Sequence, residues 1–299
     1  MRNVLSIPGW FRVLVLMVAV ALGATANAAN YLDDTTPELW RIVPPPPPNE
    51  SAQTRHELDE MLRLQRDRTP KDVDYARANI PIGIQQFAAV LGDESEVKKG
   101  MPASVKSLFE AARDDEKKLL DAAKRHFDRP RPIALDSRIQ PVLEPIVNLS
   151  YPSGHATWVF MTAVLLADMV PERRRAIWDR AEDFAHQRVV GGVHYRSDID
   201  AGRLAGTVVA AYMLANPRYR AAAASATADL RNFLKLPPLS GAPGKAASLD
   251  VAPAARESSP AQEPSSDAIA PLDVPLRASA SSLAFCCTGI VDLAVPFAM

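Results

Sequence analysis

The sequence predicts an all-α protein folded as a single helical-bundle domain, and three observations lead to that prediction. Between residues 105 and 127, apolar side chains recur at the spacing of one helix face. Residues 156–170 are almost uninterruptedly apolar, which suits a helix buried at the centre of a bundle. No stretch of useful length alternates apolar and polar residues as a half-buried strand does, so no sheet is expected.

Four further helices are predicted around these two. Apolar residues at helical spacing mark one amphipathic helix near residues 58–64 and another over 80–91. Two more are predicted after the apolar segment, over 171–190 and 198–214, and the first of them has Pro171 in its opening turn.

The remaining segments differ in composition from this helical domain, which is predicted to span residues 50–239. Residues 1–28 are predicted to be a cleaved signal peptide, since two arginines precede an apolar run and a small-residue segment. That run is shorter than the roughly 20 residues of a spanning helix, which favours cleavage over anchoring. Residues 29–49 are predicted to form an extended Pro-rich arm, and the low-complexity tail 240–299 is predicted to be disordered.

Charge and cysteine content exclude several functions. The net charge is −1, from 34 basic and 35 acidic residues, so no global field favours nucleic acid or an anionic membrane. An anionic ligand would have to be recognised locally, by a few cations gathered at one place. Cys286 and Cys287 are adjacent and rarely pair with each other, so the helical domain has no internal disulfide and no thiolate site. The role of the tail stays open.

The first of three chemically informative segments lies at the end of the predicted helix 105–127. Lys124 is expected in its last turns and Arg131 on an extended segment, because Pro130 and Pro132 prevent a continuous helix. By itself this pair is typical of a solvated basic helix end.

The second segment, residues 153–155, precedes the apolar helix. Ser153 is a candidate N-cap, and Gly154 lets a ligand approach the backbone closely. Free amides at the helix start, together with the helix dipole, attract an anion, which His155 would then face. By itself the segment is more typical of an ordinary capped helix with a hydrogen-bonded histidine.

The third segment contains Arg188, His194 and Asp198. On an unbroken helix Arg188 and His194 would point to different sides, but Gly191 and Gly192 offer a break that brings both toward one pocket. Asp198 is four residues after His194, a spacing at which its carboxylate can accept the imidazole Nδ1–H and leave Nε2 free as a nucleophile. Alone, the segment fits a surface ion pair equally well.

Together the three segments hold what phosphoryl transfer to nitrogen requires: three cations, an anion-binding helix start, two histidines and an orienting carboxylate. Their order, Lys-x6-Arg-Pro, Pro-Ser-Gly-His and Arg-x5-His-x3-Asp, resembles the motif of the type 2 phosphatidic acid phosphatase superfamily, which includes the vanadium-dependent haloperoxidases. Over residues 31–236 the chain resembles the soluble bacterial class A nonspecific acid phosphatases. One departure is Gln187, since the family usually has serine before the arginine that corresponds to Arg188.

The resemblance implies a helical bundle of the acid phosphatase and vanadium haloperoxidase type. It also implies that His194 attacks phosphorus, that Asp198 stabilises the resulting imidazolium and that His155 protonates the leaving oxygen. The implied phosphate-binding residues are Lys124, Arg131, Ser153, Gly154 and Arg188. No metal or other cofactor is expected, because fixed cations stabilise the charge. A protonated His155 implies an acidic pH optimum, and Gln187 implies altered support around Arg188.

The expected protein is therefore an acid phosphatase, periplasmic or secreted, that hydrolyses small phosphate monoesters through a phosphohistidine. Three alternatives stay open: a vanadate-dependent haloperoxidase, a phosphatase of lipid phosphates and a non-catalytic protein that binds phosphorylated ligands. Neither a nucleic-acid partner nor stable membrane insertion after signal cleavage is expected. The physiological substrate is left open, as is assembly into a homo-oligomer.

Overall fold

The computed structural model describes residues 31–32, 35–143 and 148–239, and every regular element among them is helical. The prediction of an all-α fold is therefore confirmed. The predicted signal peptide 1–28, the tail 240–299 and the two cysteines lie outside the described residues. None of the described helices is long and apolar enough to cross a membrane.

The predicted helices occur in the predicted order, and the described residues add four that were not predicted, over 70–78, 94–99, 132–135 and 217–233. The α-helices are α1 Ala52–Asp67, α2 Pro70–Ala78, α3 Ala88–Leu91, α4 Glu94–Lys99, α5 Ala103–Phe127, α6 Pro132–Leu135, α7 Gly154–Met169, α8 Arg174–Val190, α9 Arg196–Ala215 and α10 Pro217–Phe233. Short 3₁₀ turns lie at Leu39–Arg41, Ile84–Phe87 and Pro171–Arg173. The helix predicted from Pro171 thus begins with a 3₁₀ turn and becomes α-helical at Arg174.

The helix predicted over 80–91 is wrong in its first part. Residues 80–83 are not helical, and the segment continues as the turn Ile84–Phe87 and the single turn α3. Pro81 lacks an amide donor and Gly83 favours irregular backbone, so the apolar residues are buried without a continuous helix. Phe87 and Leu91 still reach the core.

Helix α7 lies at the centre of the fold and packs mainly against α8 and α9. Two glycines of α9 make the contact with α7 unusually close. A Cβ atom at Gly202 would lie 2.8 Å from the Ser153 carbonyl oxygen, and one at Gly206 would lie 2.2 Å from that of Thr157. The Ser153 amide also donates to the Asp198 carbonyl oxygen at 3.0 Å. Backbone contact therefore fixes the start of α7 against the start of α9.

The arm and helix α5 complete the core around α7. Tyr31, Leu39 and Val43 of the arm are buried in the core, and the Tyr151 hydroxyl donates to the Pro44 carbonyl oxygen. Helix α5 ends where Asp128 adopts a left-handed conformation, with φ of 47°. This reversal turns the following segment back toward the first turns of α7 and α9.

Candidate active site

The three segments identified in the sequence meet at one cavity of about 170 Å³. Its walls include Lys124 from the last turn of α5, Arg131 beyond it, Gly154 and His155 from the start of α7, and His194 from the α8–α9 loop. Ser153, Arg188 and Asp198 are buried behind these groups. The predicted break after α8 is confirmed, because the helix ends at Val190 and Gly192 adopts a φ of 80°.

His194 and Asp198 form the predicted pair. The His194 Nδ1 lies 2.8 Å from the Asp198 Oδ2, and both side chains are buried. The same oxygen accepts from the Ser150 hydroxyl and from the Tyr195 amide at 3.1 Å. Because an ionised carboxylate only accepts, the imidazole proton lies on Nδ1 and the lone pair on Nε2. The Arg131 Nη1 donates to that Nε2 at 2.7 Å.

Arg129 binds the Asp198 carboxylate on the side of the pair away from the cavity, which we call the inner side. It is buried, and its Nη1 donates to the Asp198 Oδ1 at 2.7 Å while its Nη2 donates to the Glu57 Oε2 at 3.2 Å. Its guanidinium lies 3.8 Å from the centre of the Tyr195 ring. Glu57 also accepts from the Ser197 amide at 2.9 Å, which connects α1 to the start of α9. Burial raises the pKa of Asp198, and Arg129 limits that rise.

Sequence reasoning missed both Arg129 and Glu57, although each had a signal. Alternate residues of an extended segment point to one side, so Arg129 and Arg131 could have been interpreted as a pair. Glu57 lies on the apolar face of α1, beside Leu58 and one turn before Met61. A carboxylate in such a position is rarely buried unless it has a partner.

Of the three predicted phosphate-binding cations, Lys124 and Arg131 line this cavity and Arg188 is buried behind its wall. The three differ in how many of their donors are hydrogen-bonded. Lys124 Nζ donates to the Leu149 carbonyl oxygen at 2.6 Å, and Arg131 Nη1 to that of Val193 at 2.7 Å. Arg188 is buried, yet its Nε and Nη1 have no hydrogen-bond partner among the described residues. A buried guanidinium with unbonded donors is costly unless an anion completes it.

Burial and mutual repulsion change the pKa values of these groups. Burial, followed by Arg131, lowers the pKa of Lys124 to about 7 and that of Arg188 to about 9. Burial, followed by the charges of Arg131, Lys124 and Arg188, lowers the pKa of His194 well below 6.5. His194 is therefore neutral, and three cations surround it.

His155 lies at the cavity as predicted, but its imidazole is neutral where a protonated one was expected. Its Nε2 lies 3.0 Å from the Ile80 carbonyl oxygen, and its ring stacks on Phe184. Since a carbonyl only accepts, Nε2 carries the proton. Burial, followed by the charge of Arg188, lowers the pKa of His155 to about 3. In this structure His155 is neutral, whereas a general acid must be protonated.

Ser153 and Gln187 have local roles. The Ser153 side chain accepts from the Ala156 amide at 3.4 Å, so the predicted N-cap of α7 is confirmed. Gln187 is buried and donates to the Asp183 Oδ1 at 3.2 Å, one turn earlier on α8. Its contact stabilises its own helix.

Glu116 is an unforeseen member of the cavity wall. Its side chain is buried, and its Oε1 has no hydrogen-bond partner among the described residues. Burial raises its pKa to about 8, so the carboxyl is neutral in acid and at neutrality. Glu116, Leu120 and Lys124 are spaced four residues apart on α5, and this spacing was the available signal.

No group of three or more histidine, cysteine, aspartate or glutamate side chains that could hold a metal ion is found in the described part of the chain. Of the described histidines, His155 and His194 line the cavity, where His155 contacts the Ile80 carbonyl oxygen and His194 contacts Asp198 and Arg131.

Comparison with known proteins identifies relatives of this site. Residues 118–222 match the model of the PAP2 superfamily, and that range includes all eight predicted site residues. Non-specific acid phosphatases of Salmonella typhi and Salmonella typhimurium are each 26% identical over 226 residues, covering 73% of this chain and 90% of theirs. The Providencia stuartii non-specific acid phosphatase is 28% identical over 192 residues, covering 60% of this chain and 75% of its own.

Solved structures also resemble the fold. A bacterial vanadium-dependent iodoperoxidase gives a TM-score of 0.49 at 18% identity, and 62% of this chain covers 54% of that one. A transmembrane PAP2-type phosphatidylglycerolphosphate phosphatase from Bacillus subtilis gives 0.40 at 16% identity, with 56% and 87% covered.

Proposed function

Since residues 118–222 carry a PAP2 superfamily domain homologous to bacterial non-specific acid phosphatases, we propose that this protein is an acid phosphatase that hydrolyses phosphate monoesters through a phosphohistidine on His194. The observation that carries the proposal is the environment of His194. Two buried cations, Lys124 and Arg188, and the half-buried Arg131 surround a neutral imidazole whose Nδ1–H is held by Asp198. Arg131 donates to Nε2 in this structure, and a bound phosphate that takes over this donor leaves the Nε2 lone pair facing phosphorus.

The cations and the α7 start hold the phosphate. Arg188 contributes two unbonded donors from behind the cavity wall, and Lys124 and Arg131 contribute charge in the wall itself. The Gly154 and His155 amides at the N-terminus of α7 add donors and a favourable dipole, whereas the Ser153 amide is already bonded to the Asp198 carbonyl oxygen. These groups neutralise the equatorial oxygens, which is the main requirement of phosphoryl transfer, and we propose that they do so without a metal ion.

The reaction then proceeds in two displacements. His194 Nε2 forms a bond to phosphorus as the ester P–O bond breaks, and the leaving oxygen takes a proton from His155. The Nδ1 proton stays on His194, where Asp198 stabilises the imidazolium. In the second step a water oxygen attacks phosphorus, the P–N bond breaks, and His155 takes back the water proton.

The substrate itself supplies the conditions that His155 needs. His155 is neutral in this structure because burial and the charge of Arg188 lower its pKa. A bound phosphate offsets that charge, so we expect the pKa of His155 to rise on binding and a proton to be taken up. Phosphate binding measured by calorimetry in buffers of different ionisation enthalpy tests this, since buffer-independent heats would contradict it.

Hydrolysis of 4-nitrophenyl phosphate in excess EDTA tests the proposal as a whole. Wild-type protein is expected to stay active, and the His194→Ala variant to be inactive. The exposed His56 on α1 offers a matched control, and His56→Ala should behave as wild type. Abolition by EDTA overturns metal independence, and full activity of His194→Ala overturns the phosphohistidine. Bromide oxidation with added vanadate and peroxide separates the haloperoxidase alternative.

We also propose that the protein is exported, on the evidence of the leader composition in residues 1–28. N-terminal sequencing of the protein from a periplasmic fraction should give a mature chain that begins after Ala28. An intact leader on cytoplasmic protein would contradict export.

A further inference from the structure

A second and larger cavity, of about 460 Å³, lies beside the phosphate cavity. Ile82, Arg113 and Trp158 line both cavities and therefore form their common wall. Phe109 and Met101 add apolar surface to the larger one. Its volume is in the range of about 300–1,000 Å³ that is usual for small-molecule sites, and its walls combine apolar and charged side chains.

The charged groups of the larger cavity are mainly basic. Lys98 and Lys99 are paired with Glu94 and Glu96 in α4. Lys106, Glu110 and Arg113 follow one another at spacings of four and three on α5, so they share the helix face that lines the cavity. Lys106 and Arg113 form neither a hydrogen bond nor an ion pair with a described residue, which leaves two unpaired cations against one carboxylate.

Arg113 is the cation that connects the two cavities. It is exposed and lines both of them. After burial and Arg188, its charge also contributes to lowering the pKa of His155, and it opposes the rise that burial causes in the pKa of Glu116. A group bound to Arg113 is therefore near the leaving-group side of the phosphate, where His155 lies. Glu116 does not repel an anion there, because it is neutral below a pH of about 8.

We propose that the larger cavity is a leaving-group subsite, in which Arg113 selects phosphate monoesters whose leaving group carries a second anion. The ring or chain of the leaving group lies against Ile82 and Trp158, and its carboxylate or phosphate group meets Arg113, with Lys106 beyond. This inference rests on the proposed phosphatase activity and adds a substrate class to it.

The test compares three aryl phosphates: phenyl phosphate, 4-carboxyphenyl phosphate and 4-phosphonophenyl phosphate. The ratio of kcat/KM for an anionic substrate to that for phenyl phosphate measures the preference. We expect Arg113→Gln to lower this ratio about threefold to tenfold, the effect of one partly exposed charge-assisted contact. Arg113→Lys should retain most of it. Differences in intrinsic leaving-group reactivity cancel, because each ratio is compared between variants.

Arg175 supplies the matched control, since it is an exposed arginine on α8 that pairs with Asp179 away from both cavities. Arg175→Gln should leave every ratio unchanged, and 0.5 M salt should reduce the wild-type preference. Equal ratios in wild type and Arg113→Gln for both anionic substrates overturn the inference, even if phenyl phosphate is hydrolysed well. A loss confined to one of them supports it and identifies whether carboxylate or phosphonate is held. If wild type hydrolyses none of the three, the proposed function itself fails.

Discussion

The two sides of His194 are built in opposite ways. On the inner side, Asp198 and Glu57 are buried carboxylates, and each of their four oxygens accepts at least one hydrogen bond. On the cavity side, Arg188 and Glu116 are also buried, yet each has polar atoms without a partner in the described structure. The Arg129 Nε and the Tyr195 hydroxyl on the inner side also lack a partner in the described structure, but every carboxylate oxygen there is bonded, and this network fixes the histidine. On the cavity side the unbonded atoms belong to the guanidinium and the carboxyl themselves, so a ligand completes the structure there.

This comparison teaches that burial alone does not identify a binding group. Arg129 and Arg188 are equally buried arginines close to the same histidine. Arg129 neutralises two carboxylates, so its removal leaves buried charge behind. Arg188 has no such partner, so it raises the free energy of the folded state until an anion binds.

Asp198→Asn is the largest predicted effect. An amide can donate to Nδ1 and thereby favour the wrong imidazole tautomer, so we expect kcat to fall by about 10³–10⁴-fold. Steady-state hydrolysis of 4-nitrophenyl phosphate measures it. Ser150→Ala removes another bond to the same carboxylate and should cost far less. A mild effect of Asp198→Asn would show that the inner side does not set the tautomer.

Arg129→Met should destabilise the fold by about 3–5 kcal/mol, because Asp198 and Glu57 become buried and unpaired. Denaturant unfolding measures the loss. If the variant does not fold, Arg129→Lys keeps the charge and should fold with a smaller loss. Unchanged stability of either variant would break the contrast between the two sides.

Arg188→Met is the converse test. Its removal should weaken binding of inorganic phosphate about 10–100-fold, measured as a competitive inhibition constant. The free energy of unfolding should be unchanged or higher, because an unbonded buried charge is gone. Arg175→Met on the surface of α8 should change neither quantity. A large loss of stability in Arg188→Met would assign this arginine to the inner side.

Glu116→Gln sharpens the comparison through pH. The folded pKa of about 8 is above the ordinary value of 4.5, so wild-type stability falls as pH rises from about 4.5 through 8. Glutamine does not titrate, and we expect the variant to gain about 1–3 kcal/mol at pH 9 relative to pH 5. Unfolding curves at both pH values measure it. If the free energies of unfolding of wild type and Glu116→Gln differ by the same amount at pH 5 and pH 9, Glu116 is not held neutral in the folded protein.

The sequence predicted the long buried helices α5, α7, α8 and α9 and the three converging segments, because both depend on local patterns, but it did not predict α2 or α10. The end of α5, the capped start of α7 and the glycine break after α8 are each determined within a few residues. The long-range partners were not predictable in this way. Glu57 meets Ser197 across 140 positions of the chain. Arg129 faces inward because the chain reverses at Asp128, an aspartate in a conformation more typical of glycine.

The prediction of a continuous helix over 80–91 was wrong for a related reason. The apolar residues of this segment are buried, but Pro81 and Gly83 change the backbone while leaving the composition apolar. That irregular segment provides the Ile80 carbonyl that orients His155, and Ile82 of the shared cavity wall. Whether an apolar segment becomes a helix or part of a cavity wall depends on one or two breaking residues.

The glycines of α9 determine which parts of the site can be substituted without moving the catalytic groups. Because Gly202 and Gly206 let α9 touch the backbone of α7, the separation between the Ser153 turn and Asp198 contains no side chain that could be lengthened or shortened. Any larger residue at Gly202 or Gly206 would displace both the His194 nucleophile and the amides at the start of α7. These two positions therefore do not accommodate a side chain. The exposed face of α5 has no such restriction. Substitution on the exposed face of α5 can therefore change the larger cavity without moving the catalytic groups.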